Sequence, residues 1–450
     1  MAGGIIQLVA YGAQDIYLTG NPQITFFKAV YKRHTNFAIE KYNQFGVGTI
    51  NWGNKLTYNI DRKGDLLGKC HLDFYLEFVD TDGDNLTVEQ VKRQLITEKS
   101  KNNLAKSIGY SFINYIDIEI GGSTIDTHTG HWMAIKSELA KDFNSRINDL
   151  FITGGFYRAS HISENAIYIC IPLQLWFNNN PGLYLPLVAL QYHDVKINVK
   201  LNNINQIIID NSLGLNTPEY PKPANIKIVE LNLVSEYVYL DTEERKKFAQ
   251  VSHEYLIEQL QELPNEFCNI SNNIVLLNLG FNHPIKEIIW TLHRNDNTNL
   301  LGPLWSGEKD RIKTAQIQLN GTDRFPLTPG IYFQSNQKIN HHSGIDLHKF
   351  FLEFSGIING NFCPCIDGDE QSKFPNADLS PFIYSFSMEP EKYQPSGSCN
   401  FSRLDNAILT FTINQKIPEP FSDGILIKVY GTNYNVLRIM SGMGGLAYSN

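Results

Sequence analysis

The chain has 450 residues, 42% hydrophobic and 12% aromatic with 22 Tyr and 26 Phe. That excludes extensive disorder and is more than one hydrophobic core comfortably holds, so two domains are expected. A formal charge of −8 and a pI near 5.9 exclude a protein that coats DNA directly, because neutralising phosphates takes a basic surface. No stretch approaches about 18 consecutive apolar residues, and residues 1 to 25 lack a basic region ahead of an apolar core, so neither a membrane span nor a signal peptide is expected. Residue 2 is Ala2, not the glycine that N-myristoylation requires. Six cysteines without framework spacing read as reduced thiols of a protein made in the cytosol.

From the N-terminus, Gly3, Gly4, Gly12 and Gly20 surround the apolar run Ile5, Ile6, Leu8 and Val9. Such a run is costly to leave in water, so the segment reads as an arm that something covers. His71 to Phe78 alternates Leu72, Phe74, Leu76 and Phe78 with His71, Asp73, Tyr75 and Glu77, a half-buried strand. Ile118-Glu119-Ile120 runs into Gly121-Gly122, a strand entering a hairpin turn. Trp132, Ile135, Leu139 and Phe143 keep helical spacing, which predicts a helix over His131 to about Asn144. Strands follow at Tyr192 to Leu201, with Val195, Ile197, Val199 and Leu201 on one face, and at Ile226 to Leu233, where the alternation is less clean. Asp241 and Glu244 have capping-box spacing ahead of a short helix, and His253 to Gln259 is read as a strand. Ile317-Gln318-Leu319 enters Asn320-Gly321. Gln394 to Arg403 combines Pro395, Gly397 and hydrogen-bonding Ser and Asn side chains, a tight turn leading to the strand Asn406 to Ile413.

Gly and Pro thus punctuate short runs rich in Ile, Leu, Val, Tyr, Phe and Thr, the pattern of an all-β sandwich protein. The strand and turn at Ile118 recur at Ile317, 199 residues later; Thr127 and Thr129 follow the first copy as Thr328 follows the second. Between the copies, Asn216 to Pro223 reads as an extended linker. The expected organisation is an arm over 1–25, a first sandwich over 26–217, a linker over 218–224 and a second sandwich with a tail over 225–450. Long loops at Asp80 to Lys106 and Asn359 to Ser380 are expected to point outward.

Candidate chemistry is sparse. His128 and His131 stand three apart, but Gly130 between them argues against one helix face presenting both to a metal, which leaves loop or surface histidines. Cys363 and Cys365, near Asp367 and Asp369, supply two zinc ligands of four, and only the distant Cys399 or His341 and His342 could complete the set, so free thiols are expected. Asp82, Asp84 and Glu89 lack calcium-loop spacing. With no nucleophile elbow, Walker lysine or arguable triad in the sequence, no catalytic residue, cofactor or metal is expected. Asn85, Asn269, Asn320 and Asn400 are sequons, whose glycosylation would need secretory enzymes that a chain without a signal peptide does not meet. Asn320 reads more simply as a turn residue.

Leu8 to Asp15, Leu18 to Phe27, Tyr31 to Ala38, Tyr239 to Arg245, His253 to Gln259, Gln394 to Arg403, Tyr434 to Ile439 and Gly442 to Ala447 carry a resemblance, in order and over effectively the whole chain. They resemble the major capsid proteins of nucleocytoplasmic large DNA viruses, in the algal and amoebal branch. The resemblance implies an all-β fold of two tandem eight-stranded jelly rolls with a few short helices. It implies a non-enzymatic, structural role: homotrimeric, pseudo-hexagonal capsomers tiling the icosahedral outer shell of the virion, with synthesis in the host cytoplasm. Two similar domains in each of three subunits give six similar towers, so a threefold object can tile a flat facet. Implied partners are neighbouring capsomers and minor capsid and penton proteins, with the N-terminal arm under the shell near an inner membrane and no direct nucleic acid contact. The alternative on similar β architecture is a carbohydrate-binding or cupin-like protein, which the missing metal-ligand set disfavours.

Overall fold

The computed structural model describes residues 3–10, 12–79, 108–153, 160–161, 166–203, 225–268, 274–294, 312–344, 381–413 and 425–449. Both long loops, the stretch 218–224, Asn85, Asn269, Cys363, Cys365 and the acidic residues near them lie outside the described residues. The chain divides into two compact units, Met1–Phe37 and Ala38–Asn450. The first holds two short helices, Gly3–Val9 and Ile16–Thr19. Asp15 organises its turn: the carboxylate accepts from the Gly12 amide at 2.7 Å and the carbonyl from Thr19 Oγ1 at 2.8 Å.

From the last residue of the first unit onward the strands are, in order, β1 (Phe37–Phe45), β2 (Lys55–Asn59), β3 (Leu66–Val79), β4 (Ile113–Ile120), β5 (Ser123–Thr129), β6 (Ser160–His161), β7 (Ala166–Pro172), β8 (Leu185–Pro186), β9 (Val195–Leu201) and β10 (Asn225–Leu240). Then come β11 (His253–Glu262), β12 (Glu266–Cys268), β13 (Ile274–Asn278), β14 (Pro284–Arg294), β15 (Ile312–Leu319), β16 (Thr322–Asp323), β17 (Thr328–Pro329), β18 (Phe382–Ser385), β19 (Cys399–Asn400), β20 (Ala407–Ile413), β21 (Ile425–Met440) and β22 (Met443–Leu446). One sheet runs β1-β10-β3-β7-β6 with β8 on β3, and a second runs β2-β9-β4-β5. The later strands repeat this plan: β11-β21-β14-β18, with β12, β19 and β22 at its margins, and β13-β20-β15-β16, with β17 on β15. Counting the main strands of each half, one sheet pairs first, eighth, third and sixth, and the other second, seventh, fourth and fifth. That is the jelly-roll order, twice.

Alternation explains why each strand lies as it does. Leu72, Phe74 and Leu76 of β3 are fully buried, as are Ile197 and Val199 of β9 and Leu409 of β20, and they fill the cores between paired sheets. The imperfect pattern after Ile226 has a physical cause. A bulge between Ile228 and Glu230 inserts one extra residue, so Val229 turns to solvent while Leu231 and Leu233 return to the core.

Two expectations are corrected. β10 begins at Asn225 yet lies inside the first sheet, paired with β3 from Asn225–Val79 to Val238–Leu66. The first sandwich therefore runs to Leu240, and the helix Thr242–Gln250 leads into β11 of the second. The Pro-rich stretch therefore precedes the last strand of the first sandwich in sequence and does not end it, since Pro and Gly mark turns inside domains as readily as between them. The single helix expected over His131 to Asn144 is two, Gly130–Ala140 and Phe143–Ile152, because the Asp142 side chain accepts from the Ser145 amide at 3.1 Å and caps a new start. Asp241 also caps its helix, through the Thr242 amide at 2.8 Å rather than the third-position amide of a capping box. β11 is a strand, as read.

The repeat is visible in the backbone. Gly121 and Gly122 have φ of 59° and 83°, and Asn320 and Gly321 have 50° and 75°, so both hairpins turn through two consecutive left-handed residues. Each hairpin leads to a helix that starts at a glycine pressed on the fourth main strand: a Cβ on Gly130 would collide with the Ile113 carbonyl, and one on Gly330 with the Ile312 carbonyl. Gly130→Ala and Gly330→Ala should each destabilise the fold by about 1–3 kcal/mol. Gly280→Ala, where a Cβ meets nothing within 4 Å, should leave the urea midpoint nearly unchanged, and equal midpoints for all three would refute the packing argument.

Candidate functional site

Two of the histidines singled out in the sequence, His128 and His131, lie at the seam between the two sandwiches. Trp132, Ile135 and Leu139 of the helix Gly130–Ala140 bury themselves against Ile289 of β14, Ile383 of β18 and Tyr430 of β21. The Trp132 and Tyr430 ring centroids are 5.4 Å apart. The first core also takes in Ile257 of β11 with Leu437 and Ile439 of β21. Similar domains in one chain move independently unless such an interface is large and apolar.

Several of the seam's polar groups are partnered across it. A helix leaves its last carbonyls without internal partners; here Leu139 O accepts from the Gly344 amide at 2.7 Å and Ala140 O from Ser343 Oγ at 3.4 Å. Residue 344 must be glycine, because a Cβ there would strike the Glu138 and Leu139 carbonyls. Lys338 pairs with Glu138 at 3.6 Å, both almost wholly buried. Asp126 of β5 accepts from the Leu260 amide of β11 at 3.0 Å, and its other oxygen lies 3.0 Å from His128 Nε2. His131 Nδ1 lies 2.6 Å from the Tyr430 hydroxyl. His128 and His131 are thus buried seam residues, a correction to their reading as loop or surface histidines. Tyr430 comes from a strand that local spacing cannot reveal, whereas Asp126 is a same-face neighbour of His128 on β5.

The C-terminal glycines act at the same seam. The Tyr192 amide donates to Gly442 O at 2.9 Å, and His193 Nδ1 lies 3.0 Å from Gly444 O, so the β21–β22 hairpin rests on residues 190–193 of the first sandwich. A Cβ on Gly444 would come within 2.8 Å of Leu190.

Next to Ser343 sits a charged latch. His342 is held between Glu287 of β14 and Glu391, each at 3.2 Å. Glu391 also accepts from the Ser343 amide at 3.0 Å and its hydroxyl at 2.6 Å. Burial pushes the Glu287 carboxyl up, but His342 and Lys286 overcome it and hold it at about 2. Burial pushes His342 down, and Glu287 and Glu391 overcome that, raising it to about 9. Lys286 in turn contacts Glu258 of β11 at 2.6 Å and donates to Pro390 O at 2.7 Å. No sequence pattern flagged Glu287 or Glu391; a Lys-Glu pair within an apolar strand was the available signal.

Gln394 to Arg403 proves to be a clamp on β14. Cys399 pairs opposite Ile285, the Phe401 amide donates to His283 O at 3.0 Å, and the His283 amide donates to Ser402 Oγ at 2.8 Å. Phe401 buries its ring against Phe281 and Phe386. Burial raises the half-buried Cys399 thiol above its ordinary value. His341 Nδ1 meets Met388 O at 3.0 Å. Asn320 O accepts from the Asp405 and Asn406 amides through its side chain, at 2.9 and 3.1 Å, and Asn400 caps a short turn through the Ser402 amide at 3.1 Å. The arrangement fixes two bodies as one.

Comparison with known proteins points the same way. Residues 25–241 match the family model described as major capsid protein N-terminus, and residues 244–346 and 369–445 match that of the large eukaryotic DNA virus major capsid protein. Their junction falls at the helix that follows β10. The major capsid protein of Pyramimonas orientalis virus is 38% identical, and that of Paramecium bursaria Chlorella virus 1 is 34% identical, each over 100% of both chains. Among solved structures, the PBCV-1 virus capsid matches with a TM-score of 0.70 at 28% identity, covering 95% of this chain and 100% of that one. The Faustovirus major capsid protein matches with a TM-score of 0.67 at 11% identity over 96% and 94%, a likeness of fold alone.

The latch sets a pH dependence. Glu287, depressed from 4.5 to about 2, contributes stability that is present above pH 4.5 and lost as pH falls towards 2. His342, raised from 6.5 to about 9, contributes stability that is complete below pH 6.5 and lost as pH rises through 9. The latch is therefore strongest between about pH 4.5 and 6.5. His342→Ala should cost about 3–5 kcal/mol there, because it strands buried carboxylates, and should flatten the alkaline fall in denaturation midpoint. A variant that keeps the wild-type alkaline slope would contradict this assignment.

Proposed function

The chain belongs to the major capsid protein family of large eukaryotic DNA viruses and is a structural component of the viral capsid, and from that membership we propose that three copies close into a pseudo-hexagonal capsomer. The carrying observation is that both sandwiches have the same strand order and meet at a buried seam of apolar contacts, hydrogen bonds and ion pairs. Three such subunits present six similar bodies, which tile a facet with threefold symmetry alone. No catalytic step enters this reading, and no glycan is assigned to Asn320 or Asn400, which serve as turn and cap.

Exposed apolar groups support contacts with further copies and with minor capsid and penton proteins. β1, an edge strand, leaves Phe37, Ile39 and Phe45 outside, and the edge strand β13 does the same with Ile274 and Leu276. In the N-terminal unit Leu8 is 83%, Phe26 90% and Phe27 98% exposed. Large apolar groups gathered in one segment call for a cover, and we assign residues 1–25 to an arm beneath the shell, near an inner membrane. An acidic balance fits a shell that does not touch the genome. Synthesis in the host cytoplasm suits a chain with reduced cysteines.

Size exclusion with light scattering should give three times the 51.2 kDa subunit mass. A variant lacking residues 1–25 should still fold and trimerise, because the sheets begin at Phe37, but should enter particles poorly. A full-length chain that stays monomeric at micromolar concentration would overturn the capsomer reading.

A further inference from the structure

The outer face of the first sandwich carries a cluster of metal-ligating side chains that the capsomer reading does not call on. On β3, His71 and Asp73 are two residues apart and share the face opposite the buried Leu72 and Phe74. β7 pairs with β3 so that Cys170 stands directly opposite Asp73. The donor atoms of His71, Asp73 and Cys170 all lie within 4.8 Å of one another, and His71 Nε2 is 3.6 Å from Asp73 Oδ1. Tyr168, two residues before Cys170, donates its hydroxyl to Asp73 Oδ1 at 2.7 Å and so orients that carboxylate.

An imidazole nitrogen, a thiolate sulfur and a carboxylate oxygen form a donor set that suits zinc. Zinc bonds of about 2.0–2.3 Å put tetrahedral ligand atoms roughly 3.3–3.8 Å apart, so closure needs side-chain shifts of about 1 Å. We propose that His71, Asp73 and Cys170 bind a zinc-type divalent ion, with a water in the fourth position, and that this ion staples β7 to β3. The location gives the staple something to do. β7 is the sixth main strand, and among the described residues its far side is paired by Ser160 and His161 of β6, against seven register pairs with β3.

Burial keeps His71 below its ordinary value and pushes the Cys170 thiol up to about 12, so an incoming ion must displace the thiol proton. Metal binding forms the metal–sulfur bond and releases the thiol proton to solvent, so affinity should rise with pH. Tyr168 stands behind the carboxylate as an outer partner, a feature that tunes many metal sites.

The test uses full-length protein stripped by chelator and titrated with Co2+ as a spectroscopic stand-in for Zn2+. One equivalent per chain should produce a thiolate-to-cobalt charge-transfer band and the intense visible bands of tetrahedral cobalt. Cys170→Ser should abolish the charge-transfer band, and Tyr168→Phe should keep it while weakening binding about 10-fold. His71→Gln, which retains the thiol, should lose the tetrahedral spectrum and reads the same question should Cys170→Ser fail to fold. Zn2+ should raise the melting temperature of the wild type and not of either ligand variant. Absence of the charge-transfer band in the wild type, or its persistence in Cys170→Ser or at full strength in His71→Gln, would overturn the proposal.

Discussion

Everything in this subunit depends on the closure of one seam. The helix Gly130–Ala140 belongs to the first sandwich by sequence, yet its apolar face and its last two carbonyls find their partners in the second. Separating the sandwiches would expose Trp132, Ile289, Ile383 and Tyr430 together and return Leu139 O and Ala140 O to water. It would also strand Lys338 and Glu138, which are stable at such depth only as a pair. Apolar burial therefore holds the bodies together while the polar contacts fix the register in which they meet. The latch at His342 extends that register, since it joins β14, the residue beside Ser343 and the segment at Glu391 through one side chain.

The duplicated architecture explains why the seam can be asymmetric without disturbing either core. Both halves keep the same strand order, the same left-handed hairpin turn and a glycine where a helix presses on the fourth main strand. What differs is what each helix then does. After Gly130 the chain builds eleven helical residues that cross to the partner sandwich, whereas after Gly330 it makes two short turns of helix ending at His341. The first element supplies the apolar face and the second supplies Lys338, Ser343 and Gly344. A repeated scaffold thus provides equivalent positions, and divergence at those positions makes complementary surfaces.

Much of this was legible in the chain because strand alternation is local. β3, β9 and β20 follow directly from every-other-residue patterns, and the weaker pattern in β10 carries the mark of its own bulge. The two hairpin turns could be read because only a few residues accept left-handed backbone. Long-range pairing was not legible. Nothing near Asn225 announces that it rejoins the sheet of β3, so proline-rich composition drew the boundary too early. His131 failed for the same reason, as its partner Tyr430 comes from the other sandwich, whereas the partner of His128 is Asp126, two residues away on the same face of β5. His71, Asp73 and Cys170 become neighbours only once β3 and β7 are in register.

The unsatisfied part of the structure lies at its edges. A strand edge with free backbone groups and outward apolar side chains invites pairing with another chain, and proteins that remain single usually blunt such edges with charge or proline. β1 carries Glu40 and Lys41 near its middle, but Phe37, Ile39 and Phe45 flank them, and β13 presents Ile274 and Leu276 with no charge between. The seam leaves these edges alone. A subunit whose two sandwiches are locked at a buried seam, while apolar side chains remain along its margins, is suited to contacts with its neighbours. Rigidity then matters as much as stickiness, because contacts made at one margin can set the position of another only if the two sandwiches do not shift against each other.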